Sequence, residues 1–282
     1  MKEFTPMTVL AKDRSLTQSV INYVVSRQNV DGGYTFVEEN DSNAQDTYYG
    51  LAILKLLGST FPNVDKTAEW LRGFRLGSIY SYYYIGKALS LCGEDLDSRF
   101  QKYVVSTIAS KRHFGSVEVY IEVTSEFRAA HMVPELAKLL DVDPTSNDVV
   151  AWLLEYKNGD GGFGAHRHSN INSTYHATAS LGLLSFDMKS LQDTVTFLRA
   201  CENHHGGFTV VPHSFAPYME YVYYGVMALD ALGENCRFPS QTVDFVLRCQ
   251  NANGGFARAD LGISTFENTY QAVSILQELV SA

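Results

Sequence analysis

NVDGGY (Asn29–Tyr34), NGDGGF (Asn158–Phe163), NHHGGF (Asn203–Phe208) and NANGGF (Asn251–Phe256) are four copies of one motif, Asn-x-x-Gly-Gly-aromatic. The last three lie about 45 to 48 residues apart, and the first is about three such steps upstream. A fixed period of this size marks a repeat architecture. The flanks repeat as well. Eight positions before each Asn stand Ile21, Val150, Val195 and Val243, and six before stand Tyr23, Trp152, Phe197 and Phe245. Apolar residues at this helical spacing predict a short amphipathic helix ahead of every motif. The Gly pair then reads as the helix end, where glycine accepts positive φ.

A second helix is expected about 13 to 16 residues after each motif, beginning around a Tyr. The starts are Asp46-Thr47-Tyr48, Ser173-Thr174-Tyr175, Tyr221-Val222-Tyr223 and Asn268-Thr269-Tyr270. Asp46, Ser173 and Asn268 suit helix N-caps. Gly77-Ser78 and Gly115-Ser116 mark two weaker copies, each followed by a helical run. The count is six helix pairs in one domain spanning 1–282. An open solenoid needs polar capping repeats at its ends. Here the terminal repeats are as apolar as the middle ones, so the expected fold is all-α and closed, with an inner and an outer ring of helices.

The Asn-x-x-Gly-Gly-Phe turn followed by Thr-Tyr resembles the repeat of protein prenyltransferase β subunits and of squalene and oxidosqualene cyclases. The resemblance covers essentially the whole chain and implies an α/α toroid with an aromatic central cavity for isoprenoid chains. The implied ligand is an isoprenoid or prenyl diphosphate. A partner protein subunit, such as the β subunits dock, is implied too. Tyr gathers at the second-helix starts, at Tyr48, Tyr83, Tyr175, Tyr223 and Tyr270, with His176 beside Tyr175. These residues are either ordinary core packing or a lipid-binding wall whose ring faces stabilise carbocations.

Composition narrows the class. The formal charge of -9 disfavours nucleic acid. No apolar run approaches a membrane span, and the first residues lack a signal-peptide core. Cys92, Cys201, Cys236 and Cys249 have no metal or redox spacing, which points to reduced helix-packing residues and a cytoplasmic protein. Cys92-Gly93-Glu94-Asp95 is similar to a complement-type thioester segment, but Asp95 lacks the amide that a thioester needs.

The family's chemical positions fit poorly. The zinc ligands of prenyltransferases, Asp, Cys and His, fall on Glu220, Val222 and Glu267. Val has no donor atom, and the soft ligands that favour zinc are gone, so zinc is not expected. The diphosphate-binding His falls on Asn172, and the expected basic residues fall on Pro217 and Ser214. The cyclase acid motif matches Asn43-Ala44-Gln45-Asp46-Thr47, with Gln45 at the acid itself. Asp46 remains a candidate acid if burial raises its pKa. Its other reading is a helix cap. Asp46, Glu220 and Glu267 are expected near the cavity rim, as catalytic carboxylates, as a Mg²⁺ site or as solvated helix-start residues. His166 and His168, His204 and His205, and His213 read as loop histidines. Glu126 and Arg128 are taken as a local pair. The expected activity is transfer or cyclisation of a prenyl chain by a mechanism that uses neither zinc nor the Asp-rich acid motif. The alternative is a non-catalytic toroid that binds lipid or a protein.

Overall fold

The computed structural model describes residues 14–110 and 123–281. The described residues form twelve α-helices and no strand, only isolated β-bridges. They are α1 (Arg14–Val25), α2 (Ala44–Leu56), α3 (Val64–Arg72), α4 (Ile79–Leu91), α5 (Ser98–Ser110), α6 (Val123–Leu139), α7 (Asn147–Glu155), α8 (Ile171–Leu183), α9 (Gln192–Cys201), α10 (Met219–Ala231), α11 (Pro239–Arg248) and α12 (Phe266–Ser281). The even-numbered helices pack side by side in sequence order, and α12 returns to pack on α2. The ring is closed. Gln277 at the end of α12 donates to the Leu56 carbonyl at the end of α2, at 2.7 Å, so these two inner helices run parallel. The odd-numbered helices form the outer layer, each against its own inner partner.

The Gly-Gly segment is not a helix cap. The outer helices end five to seven residues earlier, at Val25, Glu155, Cys201 and Arg248. The segment is a tight hairpin instead. In the first copy the Asn29 N–H donates to the Gly33 carbonyl (2.9 Å) and the Gly32 N–H to the Asn29 carbonyl (3.0 Å). The Asn side chain staples the loop that follows. Asn158 Nδ2 donates to Ser169 Oγ at 2.9 Å, and Asn251 Nδ2 to Ser264 Oγ at 2.8 Å. The aromatic residue anchors the hairpin: Tyr34, Phe163, Phe208 and Phe256 are fully buried. Thr-Tyr follows for a related reason. Thr47, Thr174 and Thr269 accept the backbone N–H of Tyr34, Phe163 and Phe256 at 2.9 to 3.0 Å.

The first glycine of the pair docks on the next outer helix. Gly161 has φ +88°, and a Cβ there would lie 2.1 Å from the Asp193 carbonyl oxygen at the start of α9. Gly254 repeats this across the ring closure, against the Ser19 carbonyl of α1. Gly162 departs from the expected positive φ; what excludes a side chain there is the Phe197 ring and Ser169. The N-caps sit three residues earlier than expected. Asn43 and Asn170 cap α2 and α8, accepting from Asp46 N and Ser173 N. Asp46 and Ser173 therefore lie inside the first turn. The Gly115-Ser116 copy lies outside the described residues. Among these helices none is long and apolar enough to cross a membrane.

Candidate functional site

The inner helices repeat one geometry, so the residues five positions in from their starts converge. Tyr48, Tyr83, Tyr175, Tyr223 and Tyr270 all line one central cavity, and His176 joins them. Their rings touch around the circle, with centroids 6.0 Å apart for Tyr48–Tyr83, 5.6 Å for Tyr175–Tyr223, 6.1 Å for Tyr223–Tyr270 and 6.3 Å for Tyr48–Tyr270. Tyr49, Tyr84 and Tyr224, one residue further along their helices, complete the aromatic wall. Burial pushes the hydroxyls of Tyr48, Tyr83, Tyr175 and Tyr223 up, so they stay neutral.

The three carboxylates named from the sequence part company. Glu267 lines the cavity. It accepts from Arg128 Nη2 (3.1 Å), the Tyr49 hydroxyl (3.1 Å) and Gln45 Nε2 (3.2 Å). Asp46 is buried just behind this group and is not part of the lining. Burial raises its pKa, the Asn43 side chain and the Phe36 N–H work against that, and nearby Glu267 adds to it. Glu220 also stands outside the lining, with Oε1 held by Arg258 Nε at 2.6 Å.

The remaining chemistry comes from α4 and α6. Arg128 does not pair only locally; it reaches across the ring to Glu267 and to the Tyr84 hydroxyl at 2.6 Å. Lys87 sits 3.5 Å from Glu135, with its ammonium 5.9 Å from the Tyr48 ring centre and 5.6 Å from that of Tyr83. Tyr83 also donates a short hydrogen bond to Glu135. Burial works against ionisation of Glu135, but His131, Lys87 and the Tyr83 hydroxyl outweigh it, and the carboxyl lies below its usual range. His131 Nδ1 lies 3.3 Å from His176 Nδ1. Burial depresses both pKa values, that of His176 strongly; Glu135 works against this at His131, while Lys87 and Arg128 act with it. The two facing Nδ1 atoms cannot both carry a proton, and burial favours neutral imidazole. Lys87 and Glu135 gave no motif to read, because a single Lys or Glu in an amphipathic helix looks like a surface residue.

The cavity volume is about 100 Å³. This departs from the roomy apolar pocket that a whole isoprenoid chain needs, since ligand sites span about 300–1,000 Å³. Tyrosine side chains fill the space, and charged pairs make part of the lining polar. His166, His168, His204, His205 and His213 stay exposed on loops. Among the described residues no three His, Cys, Asp or Glu side chains gather as metal ligands. The family's zinc positions do not fit the ion: Val222 is buried without a donor, and Glu220 is taken by Arg258.

The prenyltransferase alpha-alpha toroid domain model matches residues 5–76, 73–185 and 129–281. No curated protein sequence matches the chain. Among solved structures, the chain is similar to Candida albicans protein geranylgeranyltransferase-I complexed with GGPP, at 16% identity and a TM-score of 0.72, covering 93% of this chain and 90% of that one. It is also similar to a type II terpene cyclase, MstE from Scytonema, in complex with geranylgeranyl dihydroxybenzoate. That match has 11% identity and a TM-score of 0.63 and covers 95% of this chain and 97% of that one. A second variant of the same cyclase matches at 10% identity and a TM-score of 0.58, covering 95% and 96%.

Proposed function

The chain belongs to the prenyltransferase alpha-alpha toroid domain family, and from that premise we propose that it is an isoprenoid-active protein whose central pocket receives the reacting end of a prenyl group. The observation that carries this reading is the ring of Tyr48, Tyr83, Tyr175, Tyr223 and Tyr270 around one cavity. Aromatic faces attract positive charge. The allylic carbon of a prenyl diphosphate becomes cationic as its C–O bond breaks and the diphosphate leaves with the electron pair. Arg128 and Lys87 are the cations placed to meet that anion. His131 and His176, held neutral, can take the proton released when the carbocation collapses or an acceptor adds.

A cavity near 150 Å³ accommodates benzene, so about 100 Å³ suits a single isoprene unit at most. The reading is therefore for a short prenyl chain or the leading unit of a longer one. It uses no zinc. If a Mg²⁺ ion were bound, Glu267 is the lining carboxylate that would hold it, and the ion would supply positive charge to screen a diphosphate. The free state of Cys92, Cys201, Cys236 and Cys249 supports a reducing compartment such as the cytoplasm.

Calorimetric titration with dimethylallyl, geranyl and farnesyl diphosphates, followed by product analysis, tests the proposal. Micromolar binding of one of them supports it. No binding of any at about 100 μM, an affinity weaker than about 5.5 kcal/mol, overturns it. One observation favours a second reading, a non-catalytic interaction toroid: the pocket is small and its charges are already paired. That reading expects no prenyl binding, and expects a partner protein to co-purify with the chain.

A further inference from the structure

Lys87 occupies an unusual position. Its ammonium rests between two tyrosine faces, 5.9 Å from the Tyr48 centroid and 5.6 Å from the Tyr83 centroid, with the Glu135 carboxylate 3.5 Å away. Aromatic faces with a carboxylate nearby form the arrangement that recognises organic ammonium ions. The cavity of about 100 Å³ beside it is too small for a long hydrocarbon. By comparison with the benzene-sized cavity, it holds about four non-hydrogen atoms while Lys87 stays in place. We propose that the central pocket binds a small organic cation of tetramethylammonium size, and that Lys87 is a built-in occupant that yields its place to the ligand. The inference rests on the reading of this pocket as a ligand site, but not on an isoprenoid as its ligand.

The surrounding charges fix how such a ligand binds. Four ionised side chains line the pocket, Lys87 and Arg128 against Glu135 and Glu267, and they cancel. An added cation needs one positive group to leave. Arg128 is anchored by Glu267, Tyr49 and Tyr84, so it stays. Among the described residues Lys87 has one ion-pair partner, Glu135, and its side chain keeps 26% of its surface in water. Its four-carbon stem lets the ammonium move outward while the ligand takes over Glu135 and the two rings. The His131 and His176 rings are neutral and do not oppose the ligand.

The test is calorimetric titration of the full chain with tetramethylammonium chloride and with tert-butanol, which is close in size but uncharged. The expected result is at least tenfold tighter binding of the cation. Lys87→Met removes the internal ammonium, and it should raise cation affinity at least fivefold; loss of a merely structural lysine would not. Tyr48→Leu removes a ring face and should weaken the cation at least fivefold while leaving tert-butanol within twofold. Tyr48→Phe keeps the face and should bind as the parent does. If Tyr48→Leu fails to fold, the sign of the Lys87→Met effect decides. Equal affinity for the two probes overturns the inference, as does weaker cation binding by Lys87→Met. Dimethylallyl diphosphate is titrated in parallel. Binding of the diphosphate without the ammonium sinks this inference alone. Binding of the ammonium without any prenyl diphosphate sinks the isoprenoid reading alone.

Discussion

The four repeats that carry the Gly-Gly hairpin and the two that lack it serve the pocket differently. The hairpin repeats line it with Tyr48, Tyr49, Tyr175, Tyr223, Tyr224 and Tyr270, with His176, and with one carboxylate, Glu267. The second and third repeats add Tyr83 and Tyr84 and supply both cations, Lys87 and Arg128, together with His131 and Glu135. Where the period is strict, one set of hydrogen bonds locks a hairpin to the next outer helix. Where the sequence period relaxes, in the second and third repeats, both cations enter. Regularity marks the scaffold, and departure from it marks the two cations.

The comparison breaks most visibly at the hairpins. Gly161→Val adds a side chain at positive φ, 2.1 Å from a carbonyl oxygen. It should remove about 3 kcal/mol or more of stability, measured by urea unfolding. Gly77→Ala in the second repeat meets no atom within 4 Å and should change stability by less than about 0.5 kcal/mol. Equal losses for the two would erase the distinction.

The next test is acid. His131 and His176 titrate below their ordinary value in the folded chain. Below pH about 6.5 the unfolded chain takes up protons that the folded chain refuses, so stability falls as pH falls. It is fully present above that value. For His176, whose depression is the strong one, the loss between pH 6.5 and 5.5 is about 1 kcal/mol, at about 1.4 kcal/mol per proton per pH unit. The double variant His131→Gln, His176→Gln should flatten that slope.

Smaller effects sharpen the contrast. Arg128→Met strips Glu267 of its cation and should cost about 1.5 kcal/mol, and it should abolish binding of anionic ligands in the titrations above. Thr174→Val removes the hydroxyl that accepts from the Phe163 N–H and should cost about 1 kcal/mol in urea unfolding. The same position in the fifth repeat is already Val222, so the substitution fits sterically.

The scaffold was legible because each repeat restates it. The Asn, the glycines and the aromatic anchor recur at fixed offsets, a Thr follows in three of the four copies, and apolar termini implied closure. Two local details were misplaced. The Gly pair read as a helix end, because glycine at positive φ suits a cap and a hairpin equally. The caps were set three residues late, because Asp46 and Ser173 are themselves good capping residues. The aromatic wall followed from Tyr recurring at one register point. The polar half of the pocket did not. Arg128 and Glu267 are 139 positions apart and meet only across the ring. Nothing in either neighbourhood announces the other.

The closure of the ring has a kinetic consequence. Its seam joins partners more than 200 positions apart: Gln45 with Glu267, Ser19 with Gln250, and Leu56 with Gln277. Neighbouring repeats can pair early, since their contacts are local, but loop-closure entropy delays the seam. Glu267 belongs both to that seam and to the pocket. An arc of five assembled repeats would hold most of the tyrosines and no enclosed site. The pocket thus comes into being with the final docking step, and whatever it binds acts as a clasp on the finished ring.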